Sequence, residues 1–412
     1  MAPAQLSSEA LLASTKVIDA DTHLTEPHDL WVKRAPPGLR DRVPQVKKWG
    51  DGIAWVIDGD KSIGDKALSS CSILKDGTKA QGLDQMKMTI EEAYPGAYDV
   101  KARLRSMDDM GVWAQIVYPN LLGFGGQKSV IVDPDLRLAC VQIYNDAMAE
   151  MQQESGQRLF PMALLPWWDV TEAVKETERT HALGLRGLNT NSDPHMSVGP
   201  DGTKLADLGS DYWAPLWEAC NSLKMPINFH IGGSESSMDW IGKAPWPSVN
   251  VPPKAGARQP MAINAACVGA AMLFLDNARV VANLIMSGII DRYPHLRFVS
   301  VESGLGWIPF LLAALDYQYS EFGADGNLQR KPSEYFSTNF HACFWFEKKG
   351  LTETIRQVGI ENVMFETDFP HPTCLYPASL EVVADALSDF DDFSRRKLLS
   401  GNAAKLYNIP IA

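Results

Sequence analysis

Eight short apolar runs, rich in β-branched and aromatic residues and separated by segments of helical periodicity, constrain this chain more than any other feature. They cover residues 17–23, 113–119, 159–165, 184–189, 227–231, 297–301, 341–346 and 363–367. The runs are near-continuously apolar, as strands covered on both faces must be. Helical periodicity fills intervals at 98–110, 135–155, 170–182, 212–223, 307–319, 347–358 and 394–407. This alternation predicts an α/β fold, a single (β/α)8 barrel of the TIM type. The 412 residues exceed the roughly 250 of a plain barrel. The surplus falls at 26–96, after the first strand, and at 232–260, after the fifth. The first insertion contains GIAWVIDGDKSIG, where Asp58-Gly59 signals a hairpin turn. Both insertions leave carboxyl ends of strands, where barrels bind substrates, so each is expected to be a lid or an oligomer contact within one domain of residues 1–412.

Charge removes several classes of partner. With 50 acidic against 38 basic side chains the formal net charge is −12, which provides no general cationic surface for nucleic acid or anionic lipid. The most apolar stretch, 262–290, is interrupted by Asn264, Asp276, Asn277, Arg279 and Asn283 and reads as a buried helix pair, not a membrane anchor. The first residues have no basic segment followed by an apolar core, so no secretory signal is expected. Six cysteines are scattered singly with no metal-knuckle or disulfide spacing. Reduced thiols in the cytoplasm are the expectation. No internal repeat or low-complexity tract is present.

Carboxylates and histidines collect at the strand ends. The first strand runs out through DADTHLTEP, and alternation puts Asp21 and His23 on one side of it. The fifth ends in NFHIGG with His230, the sixth in VESG with Glu302, and the eighth in FETDFPHP with Asp368 and His371. A charged side chain ending an apolar strand is costly unless paired or metal-bound, and here that occurs on four strands. Singly, each has a structural reading: Asp19 and Asp21 as loop-orienting hydrogen bonders, a satisfied core histidine for His23 or His230, an ion pair of Glu302 with Arg186. His28, His181, His195 and His295 sit at no strand end and read as structural or surface residues.

The motifs DADTHLTEP, FHIGG, YPHLRFVSVESGLGWIP, ETDFPHP and GNAAKLY, in that order over nearly the whole chain, resemble the amidohydrolase-related family that includes aminocarboxymuconate semialdehyde decarboxylase. The resemblance implies a divalent metal at the carboxyl ends of the strands, with Asp21 and His23 as the first-strand pair, His230 the strand-five ligand and Asp368 the strand-eight ligand and a base. It also exposes a departure, since hydrolases and decarboxylases of this family usually carry His where this chain has Glu302. Adding Glu26 and His371 gives a candidate metal set of Asp21, His23, Glu26, His230, Glu302, Asp368 and His371. Seven groups exceed the needs of one zinc and suit two ions, iron first, with manganese or zinc as alternatives.

These features resemble the family's dinuclear oxygenases. On that resemblance the expected activity is a non-heme di-iron monooxygenase, with Glu302 and Asp368 catalytic, consuming O2 and a reductant to hydroxylate an apolar small molecule. The alternatives are a divalent-metal hydrolase or a nonoxidative decarboxylase, or a noncatalytic metal-bearing subunit should the ligand set be incomplete. Tyr118, Asn120 and Phe124, beside the glycines after the second strand, and Trp167 after the third are candidate pocket residues. Core packing is the competing reading for the tryptophan. His341 opens the seventh strand and joins the pocket if its ring faces the barrel interior. A homodimer or higher homo-oligomer is expected.

Overall fold

The computed structural model describes every residue except 1–4, 66, 83–86, 199–201, 238, 240–261, 325, 378–379 and 412. In chain order its strands are β1 (Val17–His23), β2 (Gln45–Trp49), β3 (Gly52–Ile57), β4 (Lys61–Asp65), β5 (Val112–Tyr118), β6 (Leu159–Pro161), β7 (Ala163–Leu164), β8 (Leu188–Asn189), β9 (Ile227–His230), β10 (Phe298–Val301), β11 (Phe340–Phe344) and β12 (Val363–Phe365). Parallel pairing runs β1-β5-β6 and then β7-β8-β9-β10-β11-β12. β6 and β7 are one extended run broken at Met162, whose N–H turns to the Val117 carbonyl. A parallel bridge between Thr22 and Phe369 joins β12 to β1 and closes the eight-stranded (β/α)8 barrel. The predicted fourth strand shortens to Leu188–Asn189, because Gly184 has a left-handed backbone at φ 92° and Arg186 reaches out to the Asn408 carbonyl.

The strands sort their residues between two layers. Ile18, Ala20, Ile116, Tyr118, Met162, Val299, Val301, Cys343 and Met364 fill the barrel interior, together with Ala403 and Ala404 of the C-terminal helix Asn402–Leu406 and Tyr407 just after it. Val17, Phe229, Phe298, Phe340, Val363 and Phe365 pack outward against the helices. Aspartates begin several of these helices: the side chain of Asp99 accepts from the Ala102 N–H, Asp133 from Leu136, and Asp169 from Thr171 and Glu172.

Within the first insertion, β2, β3 and β4 form an antiparallel sheet, and the turn between β3 and β4 lies at Asp58 (φ 54°) and Gly59 (φ 83°). The same insertion reaches the loop after β12: the Ser72 N–H donates to the Pro370 carbonyl and its hydroxyl to the His371 carbonyl. Most of the second insertion lies outside the described residues. The apolar stretch after it departs from expectation. It forms helices Ala262–Leu273 and Asn277–Met286, and only 33% of the most apolar 18-residue window within Ile263–Met286 (mean hydropathy 1.5) is buried. The second helix buries Val280, Val281, Leu284 and Ile285, whereas Ala266, Cys267 and Ala270 of the first are exposed among the described residues. The two separate over 274–276, where Asp276 is buried and accepts a hydrogen bond from Ser237.

Candidate metal centre

At the carboxyl ends of the strands, His230 arrives by simple alternation, since Phe229 packs outward and Asn228 and His230 point inward. Asp21 and His23 arrive by another route. Val17 faces outward and Ile18 and Ala20 inward, so unbroken alternation would carry Asp21 and His23 outward. Between Asp19 and Thr22 the β1–β5 register slips, with Asp19 opposite Gln115 but Thr22 opposite Val117. This bulge turns Asp21 and His23 into the barrel mouth. Glu302, one residue beyond inward-facing Val301, reaches the same place through a left-handed backbone at φ 53°, and Asp368 has φ 59°.

The side chains converge. His23 Nε2 lies 3.0 Å from His230 Nε2 and 3.5 Å from both Asp21 Oδ1 and Asp368 Oδ1. His230 Nε2 is 3.3 Å from Glu302 Oε2 and 3.6 Å from Asp21 Oδ1. His371 stacks on His23 with ring centroids 3.5 Å apart and places Nδ1 3.1 Å from Asp368 Oδ1. Ligand atoms of Asp21, His23, His230 and Glu302 lie within 4.8 Å of one another, as do those of His23, Glu302, Asp368 and His371. The two groups share His23 and Glu302.

This arrangement fits a cation. His230 Nδ1 is 2.8 Å from the Ile231 carbonyl, which requires an N–H there and leaves Nε2 a lone pair. His371 Nε2, 2.8 Å from Asn120 Oδ1, likewise leaves Nδ1 a lone pair facing the Asp368 carboxylate. Both oxygens of Asp21 and Oδ1 of Asp368 are buried without hydrogen-bond partners. Lone pairs facing one another repel unless a positive centre lies between them. Bonds of about 2.1 Å to a common ion put neighbouring ligands about 3.0–3.4 Å apart, matching the separations here. Electrostatics point the same way. Burial, then repulsion from Asp368, Asp21 and Glu366, pushes Glu302 well above the carboxylate range, and burial raises Asp21. Burial, then the neighbouring His371 and His230, holds His23 well below the ordinary imidazole value. Buried carboxylates that repel one another call for a compensating cation.

Supporting groups brace the centre. Arg103, buried, donates to the His23 carbonyl at 3.0 Å, the Gly96 carbonyl at 3.1 Å and Gln115 Oε1 at 2.6 Å. Asp19 accepts from the Thr367 N–H and hydroxyl, yet burial outweighs these bonds and raises it to about 7. Thr373 donates to Asp368 and lies 3.3 Å from Glu302 Oε1. Glu366 is buried, with Oε2 3.4 Å from the Glu302 backbone nitrogen. Sequence reasoning missed Glu366, Thr373 and Arg103. For Glu366 a signal existed, since it shares a face with Met364 and Asp368.

Several site expectations need correction. Glu26 belongs to neither ligand group; its Oε1 accepts from the Asn120 and Leu121 N–H groups at 2.8 and 3.0 Å, so it braces the loop after β5. Tyr118 is fully buried, with its ring 5.3 Å from that of His230, and donates from its hydroxyl to Asn228, as does Tyr407. Asn120 serves as the partner of His371. Trp167 is 2% exposed and packs in the outer core, edge-on to Trp168. His341, at the start of β11, lines a cleft with Lys224, Arg297 and Lys405 at the opposite end of the barrel. Phe124 does reach the centre: its half-buried ring is 4.3 Å from His230 and 5.1 Å from His23. Its loop comes this close because Gly125 has no side chain; a Cβ there would meet the Gly233 carbonyl oxygen at 2.1 Å.

Barrel, strand-end cluster and motif order agree with comparison to known proteins: the amidohydrolase family profile matches residues 18–409, and the chain belongs to that family. Among curated relatives, gamma-resorcylate decarboxylase of Polaromonas sp. is 25% identical over 317 residues, 74% of this chain and 86% of its own length. The enzyme of the same name from Rhodococcus jostii is 24% identical over 315 residues, 74% of this chain and 87% of its own. Among solved structures, an amidohydrolase from Mycobacterium avium subsp. paratuberculosis superposes with a TM-score of 0.74 at 21% identity, covering 96% of this chain and 99% of its own. A dihydroxybenzoic acid decarboxylase from Polaromonas sp., with bound manganese and 2-nitroresorcinol, gives 0.60 at 19% identity, covering 97% and 98%. These relatives overturn the oxygenase expectation: both curated matches are decarboxylases, and that reaction uses neither O2 nor a reductant.

Proposed function

We propose that this chain is a divalent-metal-dependent, nonoxidative decarboxylase of a small aromatic acid bearing a hydroxyl next to its carboxylate. The supporting observation is the convergence of Asp21, His23, His230, Glu302, Asp368 and His371 at the barrel mouth, in a chain that aligns with curated decarboxylases over 74% of its length. With Glu26 outside the set and His23 and Glu302 common to both groups, we assign one ion to this cluster, manganese by analogy with the solved decarboxylase, held by a subset of these residues that leaves positions open for substrate. The ion would supply a positive centre that binds the substrate's carboxylate and adjacent hydroxyl.

The chain's own groups do the rest. Loss of CO2 leaves an electron pair on a ring carbon, so a proton must arrive there. Asp368, held by the Thr373 hydroxyl, is assigned to relay that proton, taking it from water and passing it to the ring carbon. Phe124 covers the histidines and offers an apolar face to an aromatic ring while excluding water. The loops of residues 26–96 complete the mouth as a lid. Glu302, in place of histidine, adds a negative charge beside the substrate carboxylate, so turnover depends on the metal's charge.

The test is incubation of manganese-loaded protein with 2,6-dihydroxybenzoate and 5-carboxyvanillate, with and without O2. CO2 and the matching phenol are expected at equal rates in both atmospheres. A reaction that consumes O2, or no turnover of any ortho-hydroxybenzoate by fully loaded protein, would reject the proposal.

A further inference from the structure

At the amino-terminal end of the barrel, opposite the metal centre, two adjoining clefts of about 390 and 540 Å³ share Lys224, Lys405 and Leu406 as walls. Arg297 lines the first and Arg186 the second. The cations come from separate parts of the chain: Arg186, Lys224 and Arg297 from the segments entering β8, β9 and β10, Lys405 from the C-terminal helix. The only carboxylate among the lining residues is Glu361, already engaged by Lys397. Arg186 donates to the Asn408 carbonyl and Arg297 to the carbonyls of Pro294 and Leu296, which leaves both charges unneutralised among the described residues. The Nδ1 of His341 and the Nε of Arg186 are sealed from solvent there without partners.

A chain of net charge −12 thus gathers four cations around one concave surface. Mutual repulsion makes such a cluster costly unless something negative occupies it, and low-dielectric walls concentrate its field. Each cleft has the volume of a small-molecule site. We propose that these clefts form a second binding site, separate from the metal centre, for a small oxyanion carrying more than one negative charge, a phosphate ester or a polycarboxylate. Such a ligand would tie the C-terminal helix to the strand-entry segments and so brace the barrel floor.

Inorganic phosphate and succinate are suitable probes, titrated into the metal-loaded protein at constant ionic strength with chloride as reference. Wild-type protein should bind at least one of them and melt at a higher temperature with it than in chloride. The double variant Lys224→Gln/Lys405→Gln should bind at least tenfold more weakly while melting normally in chloride. Binding of phosphate alone assigns a phosphate ester; binding of succinate as well extends the site to carboxylates. Unchanged affinity in the double variant would place the anion elsewhere, at the metal centre for example, and overturn the proposal. So would binding no stronger than that of chloride.

Discussion

Glu302 and Asp368, which follow strands two places apart in the barrel, bring carboxylate oxygens within 4.8 Å of the same two histidines, His23 and His371, from backbones that are both left-handed, at φ 53° and 59°. Residues with a Cβ adopt this conformation at a cost of about 1–3 kcal/mol, and it persists where surrounding structure enforces it. Thr373, which touches both carboxylates, is one such restraint.

Glu302→Gln and Asp368→Asn should separate metal binding from folding. Each removes an acid from a buried set whose members repel one another when ionised, so the metal-free variants should melt at or above the metal-free wild type. Metal affinity should fall by more than the roughly 10–100-fold that loss of an outer partner costs. Elemental analysis after dialysis against limiting manganese, with melting curves, reads both. Undiminished metal content would remove the residue from the ligand set. In the wild type, manganese at 100 times its dissociation constant should add about 2.7 kcal/mol of stability, reversed by a chelator.

Arg103→Met should weaken the centre from a distance. It strands the His23 and Gly96 carbonyls and the Gln115 side chain, each loss costing about 1–3 kcal/mol. Lower stability in urea together with weaker manganese binding is expected, and Arg103→Lys should recover part of both. Destabilisation with unchanged metal affinity would show that Arg103 does not position His23.

Phe124→Ala probes the pocket. The ring contacts the histidines but offers no ligand atom, so manganese content should be unchanged. KM for the aromatic acid should rise by about 10-fold, corresponding to about 1.4 kcal/mol of lost ring contact. An unaltered KM would place the substrate ring elsewhere.

His341 makes a prediction about acid stability. Burial, then the charges of Arg297 and Lys405, lowers this imidazole to about 3. Between that value and the ordinary 6.5 the unfolded chain binds a proton that the folded chain does not, so stability falls as pH drops through this window. The slope is at most about 1.4 kcal/mol per pH unit, and less for a half-buried ring. His341→Asn should be less acid-sensitive than wild type from pH 6.5 to 4, measured by urea unfolding in chloride buffer. Parallel stability curves would refute the assignment.

The barrel was legible because burial on both faces writes each strand as an apolar run, and β1 begins and ends as the pattern predicts. The strand-end histidines and carboxylates were legible because charge is rare there. Alternation could say that Asp21 and His23 share a side but not which side, since the answer depends on a register slip against β5 that involves a distant part of the chain. Glu302 carried the same ambiguity, settled by one left-handed residue. Glu26 and His341 were misassigned because composition near a strand end does not reveal which atoms a side chain meets. The chemistry was harder still: Glu302 in place of histidine, with Glu26 and His371 beside the first- and eighth-strand motifs, suggested an oxygenase, whereas similarity spread over three quarters of the chain favours decarboxylases.

The bridge between β12 and β1 has a consequence for biosynthesis. Barrel closure depends on the Asp368 N–H donating to the Asp21 carbonyl and the His23 N–H to the Phe369 carbonyl, so candidate ligands from both ends of the chain meet across one seam. A ribosome must add almost 350 residues after His23 before Asp368 and His371 emerge. At roughly 5–20 residues per second the first-strand ligands wait tens of seconds for their partners. Metal capture by the complete ligand set is therefore a late event in the life of each new chain, and it reports that the last strand has reached the first.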